Sequence, residues 1–295
     1  MCSSDLGANL TITPATLTVK ANHQTKAYGA TDPALTYTAS GFQLGDTATI
    51  LTGALTRDAG EAVGSYAITQ GTLAASSNYT ISFTGDTLTI TNATLTVTAN
   101  AQTKVYGSAD PVFSYTVSGL VGTDTAASVL TGNLSRAAGE AVGSYAITQG
   151  SLAANSNYTI NFVSANLTIT KAALTVTADA KTKVYGAADP ALTYTASGFK
   201  FEDTAAVLTG ALTRAAGEAV SSYAITQGTL AANSNYTISF TGDTLTITNA
   251  TLTVTANAQT KVYGSADPVF SYTVSGLLSG DTAASVLSGS LSRVA

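Results

Sequence analysis

Leu95, Val97 and Ala99 alternate with Thr94, Thr96 and Thr98, and Phe113, Tyr115 and Val117 alternate with Ser114, Thr116 and Ser118. An apolar residue at every second position predicts strands with one buried face. Tyr145 and Ile147, then Tyr158, Ile160 and Phe162, then Leu167 and Ile169 predict further short strands in the same stretch, and Gly107, Gly119, Gly132, Gly139, Gly143 and Gly150 punctuate them as turns. Asp110-Pro111 predicts an extended or turn conformation before the second strand. One segment breaks the alternation. Asp124 to Leu130 reads DTAASVL, which predicts a short helical turn with Asp124 as the N-cap. Asp46, Asp203 and Asp281 hold the same place elsewhere, and Thr49-Ile50 makes the first copy a poorer helix former.

This pattern is repeated along the chain. LTVTANAQTKVYGSADP, residues 95 to 111, recurs with small changes around Tyr28, Tyr185 and Tyr263, and the four tyrosines are spaced by 78, 79 and 78 residues. A fixed period of this length marks a tandem array. We place complete modules at 15–92, 93–171 and 172–249, the end of a preceding repeat at 8–14 and a truncated module at 250–295. Residues 1–7, which open MCSSDL, look like translated sequencing adaptor and are expected to be an artefact that includes Cys2, the single cysteine. The first and third modules read PALTYTASGF where the second and fourth read PVFSYTVSGL, so the near-identical unit is a pair of modules.

The junctions contain no linker. TLTITNATLTVTA, residues 87 to 99, has neither Gly nor Pro, yet its apolar set moves from even positions (Leu88, Ile90) to odd ones (Leu95, Val97). A one-residue change of phase turns side chains to the opposite face, so the strand is expected to leave one core and enter the next almost directly. That predicts stiff connections rather than beads on a flexible string. The truncated module lacks closing strands and is expected to fray or to associate through its open edge.

Composition narrows the function. Charged residues are 10% of the 295, the formal net charge is -5 and no basic cluster stands out, which argues against a nucleic-acid partner. No apolar run approaches a membrane span. His23 is the single histidine and its counterparts are Ala101, Ala180 and Ala258, so it belongs to no chemistry that the array repeats. No catalytic, cofactor-binding or metal-binding residues are assigned, and no cofactor is expected. Asp32, Asp46 and Glu61 recur in each module but lie too far apart in sequence for an ordinary calcium loop, and turns and caps account for them. Tyr37, Tyr115, Tyr194 and Tyr272 are expected in the core, although a row of exposed tyrosines would offer stacking platforms for sugars. Lys26, Glu61 and Asn78, with Lys104, Glu140, Asn157 and Lys183, Glu218, Asn235, have the composition of a spontaneous Lys–Asn amide crosslink, but three unrelated surface or turn residues are the expected reading, because a lysine buried without partners would be costly. Asn78, Asn157 and Asn235 also begin Asn-x-Thr sequons, which matter only in a eukaryotic secretory pathway.

TKVYGSADP, the GDTAA segment and GSYAITQG followed by NYTI resemble the MBG-type repeats, in the Tyr-Gly variety, of large bacterial surface and secreted proteins. The resemblance covers residues 8 to 295. It implies export, a cell-surface or extracellular location and a stalk role within an adhesin, and it brings no catalytic residues. We therefore expect a mostly β fold: a tandem array of small modules, β-grasp-like with one short helix each, the alternative being immunoglobulin-like β-sandwich modules. The expected function is a non-enzymatic stiff stalk or spacer whose partners are the neighbouring repeats. The alternative is a set of weak, multivalent glycan- or mucin-binding repeats. Buried tyrosines would favour the spacer and exposed ones the glycan reading.

Overall fold

A computed structural model describes residues 9–278 and 280–294. The suspected artefact at residues 1–7 lies outside the described residues. The protein is mostly strand, arranged as repeated small sheets, as its alternating pattern predicts.

The first module shows how that pattern becomes a core. Its strands are β1 (Ala15–Ala21), β2 (Gln24–Ala27), β3 (Tyr37–Ser40), β4 (Leu51–Thr52), β5 (Thr56–Arg57), β6 (Gly64–Thr69), β7 (Ala74–Ala75), β8 (Tyr79–Thr84) and β9 (Asp86–Thr91), with a 3-10 turn at Ala48–Ile50. They form sheets ordered β3-β1-β8, β2-β9-β6-β5 and β4-β7. β1 runs antiparallel to β3, with Val19 opposite Ala39, and parallel to β8, with Leu17 opposite Ile81. β2 runs parallel to β9, with Lys26 opposite Ile90, while β6 is antiparallel to β9, with Tyr66 opposite Leu88. Two neighbouring stretches of chain, β1–β2 and β8–β9, thus run side by side and pass together from one sheet to the next. Parallel pairing needs a long crossover, and β3 to β7 supply it.

Leu17, Val19, Ala21, Ile68, Leu73 and Leu88 form the buried core, joined by Leu55 and Tyr79. Their alternation with exposed threonines is the physical content of the period-two pattern. Tyr37 is half-buried and packs on this cluster. Tyr115 and Tyr194 are likewise half-buried, whereas Tyr272 in the last module is 38% exposed.

The same succession follows in the second and third modules. The second has a three-stranded sheet of Tyr115–Ser118, Ala93–Ala99 and Tyr158–Val163, and the third one of Tyr194–Ser197, Ala172–Ala178 and Tyr236–Thr241. The passage between cores is as short as its sequence predicts. β9 ends at Thr91, the next strand begins at Ala93, and Leu88, Ile90, Leu95 and Val97 are all fully buried.

The predicted helical turns need one correction. Ala126–Val129 and Ala283–Val286 are single α turns, while Ala48–Ile50 and Ala205–Val207 are 3-10. The N-cap is the threonine after the expected aspartate: Thr125 and Ser128 form a reciprocal capping box, as do Thr282 and Ser285. Thr47 makes no side-chain cap bond, in keeping with the poorer first copy.

Two compact units make up the chain. One comprises Met1–Thr103, Asp110–Gly139 and Ser144–Thr168; the other comprises Lys104–Ala109, Glu140–Gly143 and Ile169–Ala295. The Tyr-Gly loop of the second module and the turn at Glu140 therefore belong with the third module's residues.

Candidate functional site: the junction between modules

The aspartates released from capping hold the modules together. In the first unit, the Tyr28 hydroxyl donates to Asp124 Oδ2 at 3.1 Å, and Tyr158 donates to the same oxygen at 2.6 Å. The rings of Tyr28 and Tyr158 meet edge to face with centroids 5.4 Å apart. The Tyr158 hydroxyl also accepts from the Val121 backbone N–H at 2.9 Å. Asn157 completes the socket, because its side-chain oxygen accepts from the Val63 N–H at 3.0 Å.

The second unit repeats this contact with its own residues. Tyr106 donates to Asp203 at 3.0 Å, Tyr236 donates to Asp203 at 2.7 Å, and the two rings lie 5.4 Å apart. Asn235 accepts from the Val142 N–H at 3.0 Å. Phe201 adds an edge contact to Tyr106 at 5.3 Å. A plug on one module, Tyr-Gly, thus enters a socket of Asp, Asn and Tyr on the next. Burial, followed by the hydrogen bond to aspartate, raises the pKa of Tyr28, Tyr106 and Tyr158, and pushes Tyr236 up to about 12.

The glycine of the plug is required by close approach as well as by backbone shape. Gly29 and Gly107 have φ of 79° and 81°. A Cβ on Gly29 would come within 2.0 Å of Val121 Cγ1, and one on Gly107 within 2.4 Å of Lys200 Cβ.

Behind the plug sits an ionic cluster within each module. Lys26 lies on β2, its side chain only 3% exposed, and its ammonium donates to Asp32 at 2.6 Å and Glu61 at 2.5 Å. Arg57 donates from Nε to Asp32 at 2.7 Å, pairs with Glu61 and lies over the Tyr66 ring at 5.5 Å. Two cations and two carboxylates balance, which is the condition for burying a lysine. Lys183, Asp189, Arg214 and Glu218 repeat the arrangement, with Arg214 over Tyr223 at 5.4 Å. In the second module Lys104 pairs with Glu140 at 2.6 Å and Arg136 with Asp110 at 2.6 Å. Hydrogen bonds from Arg57, then from Lys26, hold Asp32 down to about 2, and Asp189 stands likewise with Arg214 and Lys183.

These contacts reassign the residues singled out from the sequence. The lysine of the candidate crosslink is buried and held by carboxylates, while Asn157 and Asn235 face the preceding module, so the three residue types serve two separate structures. Asp32 and Glu61 are committed to Lys26 and Arg57, and Asp46 accepts from Tyr79 at 2.9 Å. His23 is half exposed and lies 3.2 Å from the Thr87 hydroxyl. The junction was missed because the aspartate of DTA had an adequate local explanation as a cap. The signal that could have exposed it is that a second capping residue, threonine, follows the aspartate in every copy.

The family model of the MBG domain (YGX type) matches residues 17–89, 95–168, 174–246 and 252–295. No curated protein and no solved structure matches the chain. Four matches span most of the sequence, and the Tyr-Gly plug is the repeated feature that binds one repeat to the next. The chain belongs to the MBG domain family of YGX type, as a tandem array of its repeats.

Proposed function

We propose that the array is a non-enzymatic stalk or spacer of a large, exported bacterial surface protein, an adhesin in the fullest form of this reading. The observation that carries it is the plug and socket, found with the same atoms in Tyr28–Asp124 and Tyr106–Asp203. A spacer needs connections that transmit load without bending freely. One residue between strands, a tyrosine seated in the next module and an asparagine clamped on the preceding backbone provide three such restraints. Low charge and extensive strand pairing suit the same task. The family is a structural repeat domain, which supports the non-enzymatic reading.

The tyrosines also weigh on the glycan alternative. In the first two modules the four types have structural employment: plug, socket, core edge and platform for arginine. That leaves weak glycan binding without an aromatic row to support it. Small-angle scattering of the full chain and of a Tyr28→Ala, Tyr106→Ala double variant tests the spacer reading. The expected result is a broader distribution of dimensions in the variant with the modules still folded. Identical scattering curves would overturn the role given to the junction.

A further inference from the structure

Asp32, Asp110 and Asp189 each stand directly before a proline, in the loop between the second and third strands of a complete module. In the first module that loop joins β2 to β3. The amide of an aspartyl-proline bond is tertiary, and its more basic nitrogen makes it a better leaving group than an ordinary peptide nitrogen. The aspartate supplies a nucleophile within its own residue, at an effective concentration no solvent molecule matches. Such a bond is a weak point in a chain unless the carboxylate is occupied.

In this fold both oxygens of that carboxylate are occupied. Arg57 donates from Nε to Asp32 Oδ2 at 2.7 Å and from Nη2 to Oδ1 at 3.1 Å, while Lys26 donates to Oδ1 at 2.6 Å. Asp189 is held in the same way by Arg214, at 2.7 and 3.1 Å, and by Lys183, at 2.6 Å. In the second module Arg136 spans Asp110 at 2.6 and 3.2 Å. A guanidinium fork fixes the plane of the carboxylate and ties up the lone pairs that would attack. Glu61 faces the same two cations, and the Tyr66 ring lies against Arg57. The Asp32 side chain is 41% exposed, so water reaches it. The cluster therefore limits what the carboxylate can do rather than what can approach it.

We propose that every complete module carries a latent self-cleavage site at its Asp-Pro bond, and that the arginine fork is its lock. A released and protonated Asp32 carboxyl attacks the residue's own main-chain carbonyl carbon and closes a cyclic anhydride. The C–N bond to Pro33 breaks, and the carboxyl's proton passes to the proline nitrogen, which leaves as a secondary amine. Water, the only co-reactant, then opens the anhydride and leaves Asp32 with two carboxyl groups, one of them a new chain end. Asp32 and Asp189 stay ionised down to about 2, so the lock opens only in strong acid or when the arginine withdraws. A cut after Asp32 leaves β1 and β2 held to the rest of the module by strand pairing alone. None of this depends on the array being a stalk.

Incubation of the full 295-residue chain at about pH 4, where an ordinary aspartate is near its pKa, followed by mass spectrometry, reads the cuts as peptides that begin at Pro33, Pro111 or Pro190. Arg57→Gln is expected to speed the Asp32-Pro33 cut at least about tenfold over the Asp189-Pro190 cut in the same molecule, the fold-change for one charge-assisted hydrogen bond. Glu61→Gln removes a charge from the same cluster but leaves Arg57 and Lys26 on Asp32, so its rate is expected to stay at the wild-type value. Where Arg57→Gln lowers the circular dichroism signal of the chain, Arg57→Lys keeps the charge, gives up the fork and carries the same expectation. Pro33→Ala added to the arginine variant is expected to abolish the cut after residue 32. Equal rates at the two bonds in the arginine variant overturn the proposal. So does a Glu61→Gln chain that cuts as fast as the arginine variant, or a cut after residue 32 that survives Pro33→Ala.

Discussion

At the scale of the residue, the protein separates charges that stabilise a module from hydroxyls that join modules. Lys26 is buried beside two carboxylates, so removing it leaves Asp32 and Glu61 facing each other with only Arg57 between them. Lys26→Met, which keeps most of the apolar stem, is expected to lower the urea midpoint at neutral pH. The pH dependence follows from Asp32 and Asp189, which are held down to about 2 from 3.8. A depressed folded-state pKa contributes stability above about pH 4, and that contribution is lost as pH falls through 2. The difference between wild type and Lys26→Met should therefore shrink across that window in acid unfolding followed by circular dichroism. Tyr106→Phe touches the other system. It removes one bond to Asp203 from a ring that is 7% exposed, and about 1–2 kcal/mol of junction stability should go with it. A double-mutant cycle with Asp203→Asn would measure the coupling.

At the scale of the element, the same short helical turn differs in strength from copy to copy. Thr125 shares a capping box with Ser128, whereas Thr47 makes no cap bond. Thr125→Ala is expected to cost about 1 kcal/mol and Thr47→Ala close to nothing, as read from chemical denaturation. The plug turn also has a simple test. Gly29→Ala forces a Cβ into Val121 and into a left-handed backbone, so it should open the junction without unfolding either module. Alkaline pH should do something similar. Tyr236 has its pKa pushed up to about 12 from 10.0, so its contribution is intact below pH 10 and lost as pH rises through 12. Ultraviolet titration of the tyrosines, beside scattering at the same pH values, would show whether ionisation and loosening coincide.

At the scale of the whole molecule, the last module serves as an internal control on what the later strands do. Thr253–Ala256 pairs with Tyr272–Ser275, and Val254 is 42% exposed where Val19, Val97 and Val176 are fully buried. The Lys261 side chain is 39% exposed, against 3% for Lys26. Hydrogen exchange should find amides of residues 250–294 much less protected than those of the complete modules, because exposed ladders open at low cost. Protection equal to that of the third module would contradict the expectation that this segment frays. Binding of the full chain to a broad glycan and mucin array belongs at this scale too. Saturable binding would return the glycan reading to the front, and its absence would keep function in the junctions.

Much of this architecture was legible in the chain itself. Alternation of Leu95, Val97 and Ala99 with threonine specifies strands because side chains on a strand point to opposite faces in turn. The phase change between Ile90 and Leu95 specifies the direct passage between cores for the same reason. The period around Tyr28, Tyr106, Tyr185 and Tyr263 specifies an array. These are local or periodic properties, and one dimension is enough to carry them. The partners of Asp124, Lys26 and Asn157 are of another kind. Each had a sufficient local reading as cap, surface charge or sequon, and each meets at least one partner across 34 to 96 residues of chain. Only the folded modules bring Tyr28 and Tyr158 to one carboxylate oxygen, because the strands Ala93–Ala99 and Tyr158–Val163 must pair before that socket exists. Residue order alone is enough for the repeat and its strands, whose signals are local, whereas folding settles which of the repeated polar residues hold a module and which hold its neighbour, because those partners lie far apart along the chain.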